Sequence, residues 1–466
     1  GTTDSDVGAW FPTDFWGRGS DTGGSGSDTG GGGGGGGVVL PTDWPDTDTD
    51  VFVTDFAFDT GAAAAQPTSC TVRRPARVAV CGAAGVAAAI GNNTFSILAD
   101  AVAAASPGDE VVVCPGSHQG GFDAADLSLV AADPTSGATE ITGGGRVRVI
   151  QHTGGDLVLE GLTLVDGSAQ DGAAVGGSGT SLTVTCVTAR TNNAQGDGGA
   201  IQASGSGKVT IDRSLFEQNR AGYAGGAISA QSAVIVDSVF SGNYADYEGG
   251  AISARGDLTV SGTSFLQNSA DYSGGAISFG DWDSRRLTLT NDTFVGNNAG
   301  YEGGAITFGT WAEADVAEIV DSVFEGNTSD GDGGAINFGT WGGFAASMTR
   351  TRFSKNVANN GAAIRQGGWT QQGATLSLVD VTLADGVARR GAGAALSVSF
   401  GDLPTKVDAT RVSVLRNSGG SAVSIRSVDS FTCTGCDFGT GVDDNTPSDA
   451  AKGGVVTHPA PATFSL

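Results

Sequence analysis

The chain has 466 residues, with 50 acidic against 24 basic side chains, a formal net charge of −26 and a pI near 4.2. That balance excludes direct nucleic-acid binding, which needs a basic surface against the phosphates, and no apolar run is long enough to span a bilayer. The 78 glycines require turn-rich repeats and a low-complexity tract, and the six cysteines, an even number, suit disulfides formed in an oxidising compartment.

Residues 1–66 form a compositionally separate Gly/Asp-rich arm. The stretch from Gly8 to Trp16 gathers four large aromatics, Trp10, Phe11, Phe15 and Trp16, which are costly to leave in water. Gly31–Gly37 is an unbroken glycine run, Asp-Thr phrases fill 46–50, and Val51–Phe58 reads as a strand. Such composition also describes a flexible linker. The aromatic cluster favours an extended arm that docks, either on its own chain or on a neighbouring copy. The start at Gly1 rather than Met fits a removed signal peptide and hence export.

Residues 67–110 read as an N-terminal cap. Asn93 or Thr94 is placed to N-cap a short helix with Phe95, Leu98, Ala101, Val102 and Ala105 on one face. Ser106-Pro107-Gly108-Asp109 stops the helix, and Glu110–Cys114 opens the first strand. Such a cap covers the open end of a lumen and blocks edge pairing.

Residues 111–440 read as a run of coils, irregular at first and degraded at the end, and from Gly196 to Trp369 they repeat one phrase: an aromatic, two residues, Asn, a polar run, then Gly-Gly-Ala-Ile. The aromatics are Phe216, Phe240, Phe265, Phe294, Phe324 and Phe353, and Asn219, Asn243, Asn268, Asn297, Asn327 and Asn356 follow each by three. The motif isoleucines run Ile201, Ile228, Ile252, Ile277, Ile306, Ile336 and Ile364, at steps of 27, 24, 25, 29, 30 and 28. A period in this range means a solenoid. Alternating runs such as Leu287-Thr288-Leu289-Thr290, bounded by Gly and Asn, make it a β-solenoid of about twelve coils, roughly 55–60 Å long at the strand spacing. Phe and Ile columns are expected to fill the lumen. The Asn column, able to donate and accept, is expected as a structural ladder between coils.

These Phe-x-x-Asn and Gly-Gly-Ala-Ile phrases resemble the repeats of the polymorphic outer-membrane proteins, which are autotransporter adhesins, and more broadly right-handed parallel β-helix proteins. The resemblance implies an all-β, right-handed parallel β-helix with a surface, adhesive role. It departs at the tail, 441–466, which is too short for the membrane barrel that ends such autotransporters, so a surface role would use another anchor or none. The cap phrase, helix then Pro-Gly-Asp and a valine strand, is similar to that of many parallel β-helix proteins.

Several columns are candidates for chemistry. Trp282, Trp311, Trp341 and Trp369 lie five residues after successive motif isoleucines, and Tyr223, Tyr247, Tyr272 and Tyr301 lie four after successive motif asparagines. Such aromatics stack for stability or form an exposed strip for sugar rings or another copy's arm. Asp246, Glu248, Asp271, Glu302, Asp330 and Asp332, with Asp197, border the Tyr column as a solvated acidic edge or a candidate calcium site, and the acids of 43–59 are a second one. The column Arg213, Asp237, Gly262, Asn291, Asp321, Arg350, Asp380 and Arg411 reads as a charge ladder. Cys433-Thr-Gly-Cys436 reads as a local disulfide; the pairing of Cys70, Cys81, Cys114 and Cys186 is open.

No long insertion walls a cleft, and His118, His152 and His458 are far apart. Arg350, Arg365 and Arg390 come nearest to a lyase face. The reading is therefore an exported, extracellular or cell-surface structural or adhesive β-helix. It self-associates through its arm into a filament in the limit. A polysaccharide-binding or polysaccharide-degrading β-helix, lyase or glycoside hydrolase, is the alternative.

Overall fold

The computed structural model describes residues 70, 80–82, 84–134, 137–280, 285–309, 314–339, 343–368, 374–400, 405–426, 430–439, 444–445, 447–451 and 462–465. The expectations for the arm, with Trp10, Phe11, Phe15 and Trp16, and for Trp282, Trp311, Trp341, Trp369 and His458 lie outside these residues.

One coil is four short strands. From Ile252 they are Ile252–Ala254, Leu258–Ser261, Ser264–Leu266 and Ser269–Ala270. Leu258 and Val260 point inward and Thr259 between them is exposed, the alternation that a pleated strand imposes. Among the described residues, stacking such coils in parallel builds a 25-stranded, a 12-stranded and a 9-stranded sheet; the largest takes the first two strands of each regular coil. Every motif Ile from Ile201 to Ile364 pairs with the next in register, and so does every motif Phe from Phe216 to Phe353. Both columns are fully buried, and the Phe rings stack face to face at 4.6–5.1 Å.

The Asn column is buried beside the Phe column. Each Asn from Asn219 to Asn327 donates through Nδ2 to the Oδ1 of the next coil's Asn at 2.9–3.1 Å. The same Nδ2 reaches back to the backbone of the preceding coil's aromatic rung, as from Asn243 to Phe216 O at 2.9 Å. The ladder extends to Asn192, and after an interruption at Gly386 it resumes through Asn417 and Asn445.

Corners require left-handed backbone. The column Cys186, Arg213, Asp237, Gly262, Asn291, Asp321, Arg350, Asp380 and Arg411 has φ between 45° and 61° throughout. Gly, Asn and Asp adopt this conformation readily; Arg does so at a steric cost. Arg350 lies bidentate on Asp321 at 2.6 and 2.8 Å, and Arg411 on Asp380 at 2.6 and 2.7 Å. These exposed pairs contribute little each. The alternation of sign therefore decorates a turn whose shape is set by the backbone.

A further buried column stands two residues before each Phe: Ser214, Ser238, Thr263, Asp292, Ser322 and Thr351. Ser214, Ser238, Asp292 and Ser322 accept a backbone N–H from the coil before, as Asp292 Oδ1 does from Thr263 at 2.8 Å. Burial pushes the Asp292 carboxyl up to about 7, against two stabilising backbone N–H groups. A folded value above the ordinary one means that stability falls as pH rises from about 4 to about 7 and is then level. Asp292→Ser, which restores the column's hydroxyl, is expected to gain on the order of 1–2 kcal/mol at pH 8 and nothing below about pH 4. Thermal melts of both proteins across that range check it; a gain independent of pH would contradict the assignment.

The cap differs from the sequence expectation in one respect. Asn93–Phe95 is a strand, not a helix start, and pairs antiparallel with Ala88–Ile90. The helix is Leu98–Ala104, its N-cap is Ile97, and no side chain caps it. Chain reversal at Gly91 takes Asn93 and Thr94 into the hairpin, leaving neither free to cap. Leu98, Ala101 and Val102 are buried against the first coils. Ala88–Ile90 runs antiparallel to the first coil strand Glu110–Val113, and at the far end Ala462–Ser465 runs antiparallel to Ser430–Cys436.

The disulfides are Cys81–Cys114, Cys70–Cys186 and Cys433–Cys436, which leaves no free cysteine. The 116-residue separation of Cys70 and Cys186 makes that bridge the strongest constraint on the unfolded chain, about 4–5 kcal/mol in the chain-entropy account. No helix among the described residues is long and apolar enough to cross a membrane.

Candidate functional site

The most distinctive surface is built at the Gly-Gly hinge. Gly249 has φ +67°, and a Cβ on Gly250 would lie 2.2 Å from Gly275 O, so both positions exclude a side chain. This sharp turn places an aromatic and a carboxylate just before the hinge, and a small polar residue just after the Ile, on one outer corner.

Tyr223, Tyr247, Tyr272 and Tyr301 form a ladder there. Successive backbones are joined by N–H to O bonds of 3.0, 3.0 and 2.7 Å, and successive ring centroids stand 5.1, 4.9 and 5.0 Å apart with planes within 14°. The rings are 39–49% exposed, unlike the buried Phe stack. Because they stack face to face, they present edges and hydroxyls along the strip. Gly196 precedes Tyr223 in the column and Gly331 follows Tyr301, so no column side chain covers the two outer faces. Desolvation, then neighbouring carboxylates and phenols, raises the Tyr223 and Tyr272 hydroxyls above their usual range, and both stay protonated at neutral pH.

The carboxylates reach across coils. The Ser278 hydroxyl donates to Glu248 at 3.1 Å, and Asn337 Nδ2 donates to Glu302 at 2.8 Å. Asp332 takes Arg365 at 3.1 Å and Asn360 at 2.8 Å. They roof the outward column Ser229, Ser253, Ser278, Thr307 and Asn337, which is nearly buried although it faces away from the lumen. Burial, then Asp332, raises Glu302, with Arg365 opposing; burial likewise raises Asp197, with Arg255 opposing.

The acids of 43–59 lie outside the described residues, and several calcium candidates beside the Tyr column have other partners. Asp246 pairs with Arg220 at 2.5 Å and Asp330 with Arg389 at 2.9 Å, while Asp271 takes the hydroxyl of Tyr244, whose ionisation is pushed up to about 12, first by burial. Among the described residues, no three His, Cys, Asp or Glu side chains gather to hold a metal ion. Of the lyase-like arginines, Arg350 and Arg365 are engaged with Asp321 and Asp332. His118 and His152 each bond a nearby backbone carbonyl through Nε2, at 2.7 and 3.1 Å.

Sequence reasoning missed the hydroxyl column with Asp292 and the rungs Asn192, Asn417 and Asn445. The signal was present: Ser, Thr or Asp stands two residues before every motif Phe.

Stacked coils, buried Phe, Ile and Asn columns and the Gly-Gly hinge define a right-handed parallel β-helix repeat protein. Residues 149–329 match the right-handed β-helix region family. Residues 321–339, which hold Phe324, Asn327 and Gly333–Ile336, match the Chlamydia polymorphic membrane protein repeat, and the chain resembles those proteins. No curated protein and no solved structure matches the chain. The three disulfides are compatible with an extracellular location.

Proposed function

We propose that the chain is an exported adhesive or structural β-helix of the cell surface whose copies associate through the aromatic arm of residues 1–66, in the limit into a filament. The observation that supports it most is the exposed Tyr ladder, a stacked aromatic strip of the kind that anchors protein partners. An arm rich in Trp and Phe supplies matching chemistry. Charge opposes the contact: residues 1–66 carry eleven Asp and one Arg, and the ladder is bordered by carboxylates. Association is therefore expected to strengthen with salt or calcium, which screen like charges.

Sedimentation and negative-stain microscopy of the full chain, and of a variant lacking residues 1–37, test this with and without calcium. Assembly lost with the arm is the expected result. Monomers in every condition would overturn it and favour the polysaccharide reading, in which the uncovered faces of Tyr223 and Tyr301 receive sugar rings.

A further inference from the structure

The Tyr ladder holds a chemical possibility that adhesion does not use. Four phenols stand in register one coil apart, so each presents the carbon ortho to its hydroxyl beside the same carbon of its neighbour, near the 4.9–5.1 Å ring separation. Backbone hydrogen bonds from coil to coil fix the roots of the side chains, while their half-exposed tips have room to tilt. Two common sinks for an oxidant do not compete: Met348, the single methionine, is fully buried and every cysteine is in a disulfide, while the tryptophans lie outside the described residues.

We propose that the ladder is an oxidative cross-linking site, at which a peroxide and a one-electron oxidation catalyst join Tyr223 to Tyr247, Tyr247 to Tyr272, or Tyr272 to Tyr301 as dityrosine. Each of two neighbouring phenols loses one electron and its hydroxyl proton. The two ring radicals form one carbon–carbon bond between ortho carbons, and the two ortho hydrogens return to the oxygens as the rings regain aromaticity. The two electrons and two protons reduce one hydrogen peroxide to two waters, so the balance is two phenols and one peroxide to one dityrosine and two waters. Neighbours held in place react as one molecule, an advantage that dilute separate chains lack. The product is a covalent staple between coils on the outside of the solenoid. Tyr244 is an internal control: its column neighbours are Arg220 and Ser269, so it has no phenol beside it.

The test treats the dilute full-length protein with a haem peroxidase and hydrogen peroxide. The readouts are dityrosine fluorescence, a reducing denaturing gel and peptide mapping. The expected result is dityrosine in the monomer band, mapped to adjacent ladder pairs, with a raised thermal midpoint. Tyr247→Phe with Tyr272→Phe keeps four stacked rings but removes every adjacent phenol pair. It is expected to abolish the monomer-band signal while circular dichroism is unchanged. Absence of dityrosine from the wild-type monomer, coupling found between chains alone, or a signal that survives the double substitution would overturn the proposal.

Discussion

Replacing Asn268 by Ala is expected to destabilise the central coils by roughly 3–6 kcal/mol. Asn268 is fully buried; its Nδ2 donates to Phe240 O and Asn297 Oδ1, and its Oδ1 accepts from both the backbone N–H and the Nδ2 of Asn243. Truncation leaves at least two donors of Asn243 and an acceptor of Asn297 without this partner in a dry interior, each costing about 1–3 kcal/mol. Asn298→Ala, at the next coil's exposed surface, removes only a bond from Thr328 and is expected to stay within about 0.5 kcal/mol. Repeat arrays need not unfold as one unit, so hydrogen exchange resolved by peptide places the loss along the array. Protection should fall in the coils spanning 239–299 and persist around 122–165. Equal protection in Asn268→Ala and the parent would show that the ladder is not what ties these coils together.

The second large effect is expected in the lumen. Phe294 lies between Phe265 and Phe324, at 4.6 Å from each and nearly parallel to both. Phe294→Ala removes a fully buried ring and two stacking contacts, a loss of about 3–5 kcal/mol. The chain itself contains the milder exchange: Leu383 takes the ring's place one coil after Phe353, in register. Phe294→Leu is accordingly expected to cost about 1–2 kcal/mol. The same exchange measurement should rank the two. Similar losses for Ala and Leu would mean that ring stacking, not volume, governs the column.

The fold was legible because the inward residues repeat. A period of 24–30 residues with Phe, Asn and Ile at fixed offsets admits few arrangements other than stacked coils, and the register follows from aligning those offsets. The Tyr column was legible as a spacing; that its rings are both stacked and exposed required knowing which side of the Gly-Gly hinge faces out. The corner column was read through its charges, since Arg and Asp announce ion pairs and give no sign of a left-handed backbone. Asp292 was hidden for the opposite reason. A lone Asp among Ser and Thr reads as surface until the column is seen to be buried. The pairings of Cys70 with Cys186 and of Cys81 with Cys114 depend on where the segment before the first coil runs, which no spacing encodes.

The antiparallel strands at the two ends of the large sheet bear on how copies could meet. A parallel stack of coils is a template: each rung offers the next the same hydrogen-bond pattern, and a newcomer of matching sequence could seed onto an open end. Here Ala88–Ile90 and Ala462–Ser465 run against the coil strands they pair with, while Asn93–Phe95 and Pro447–Ala451 run with the coils, and each is only three to five residues long. A second copy offered coil-first would meet short strands of mixed direction in place of a full coil's pattern, which disfavours propagation there. Among the described residues, that leaves the flanks of the solenoid as the surface better suited to contact between copies.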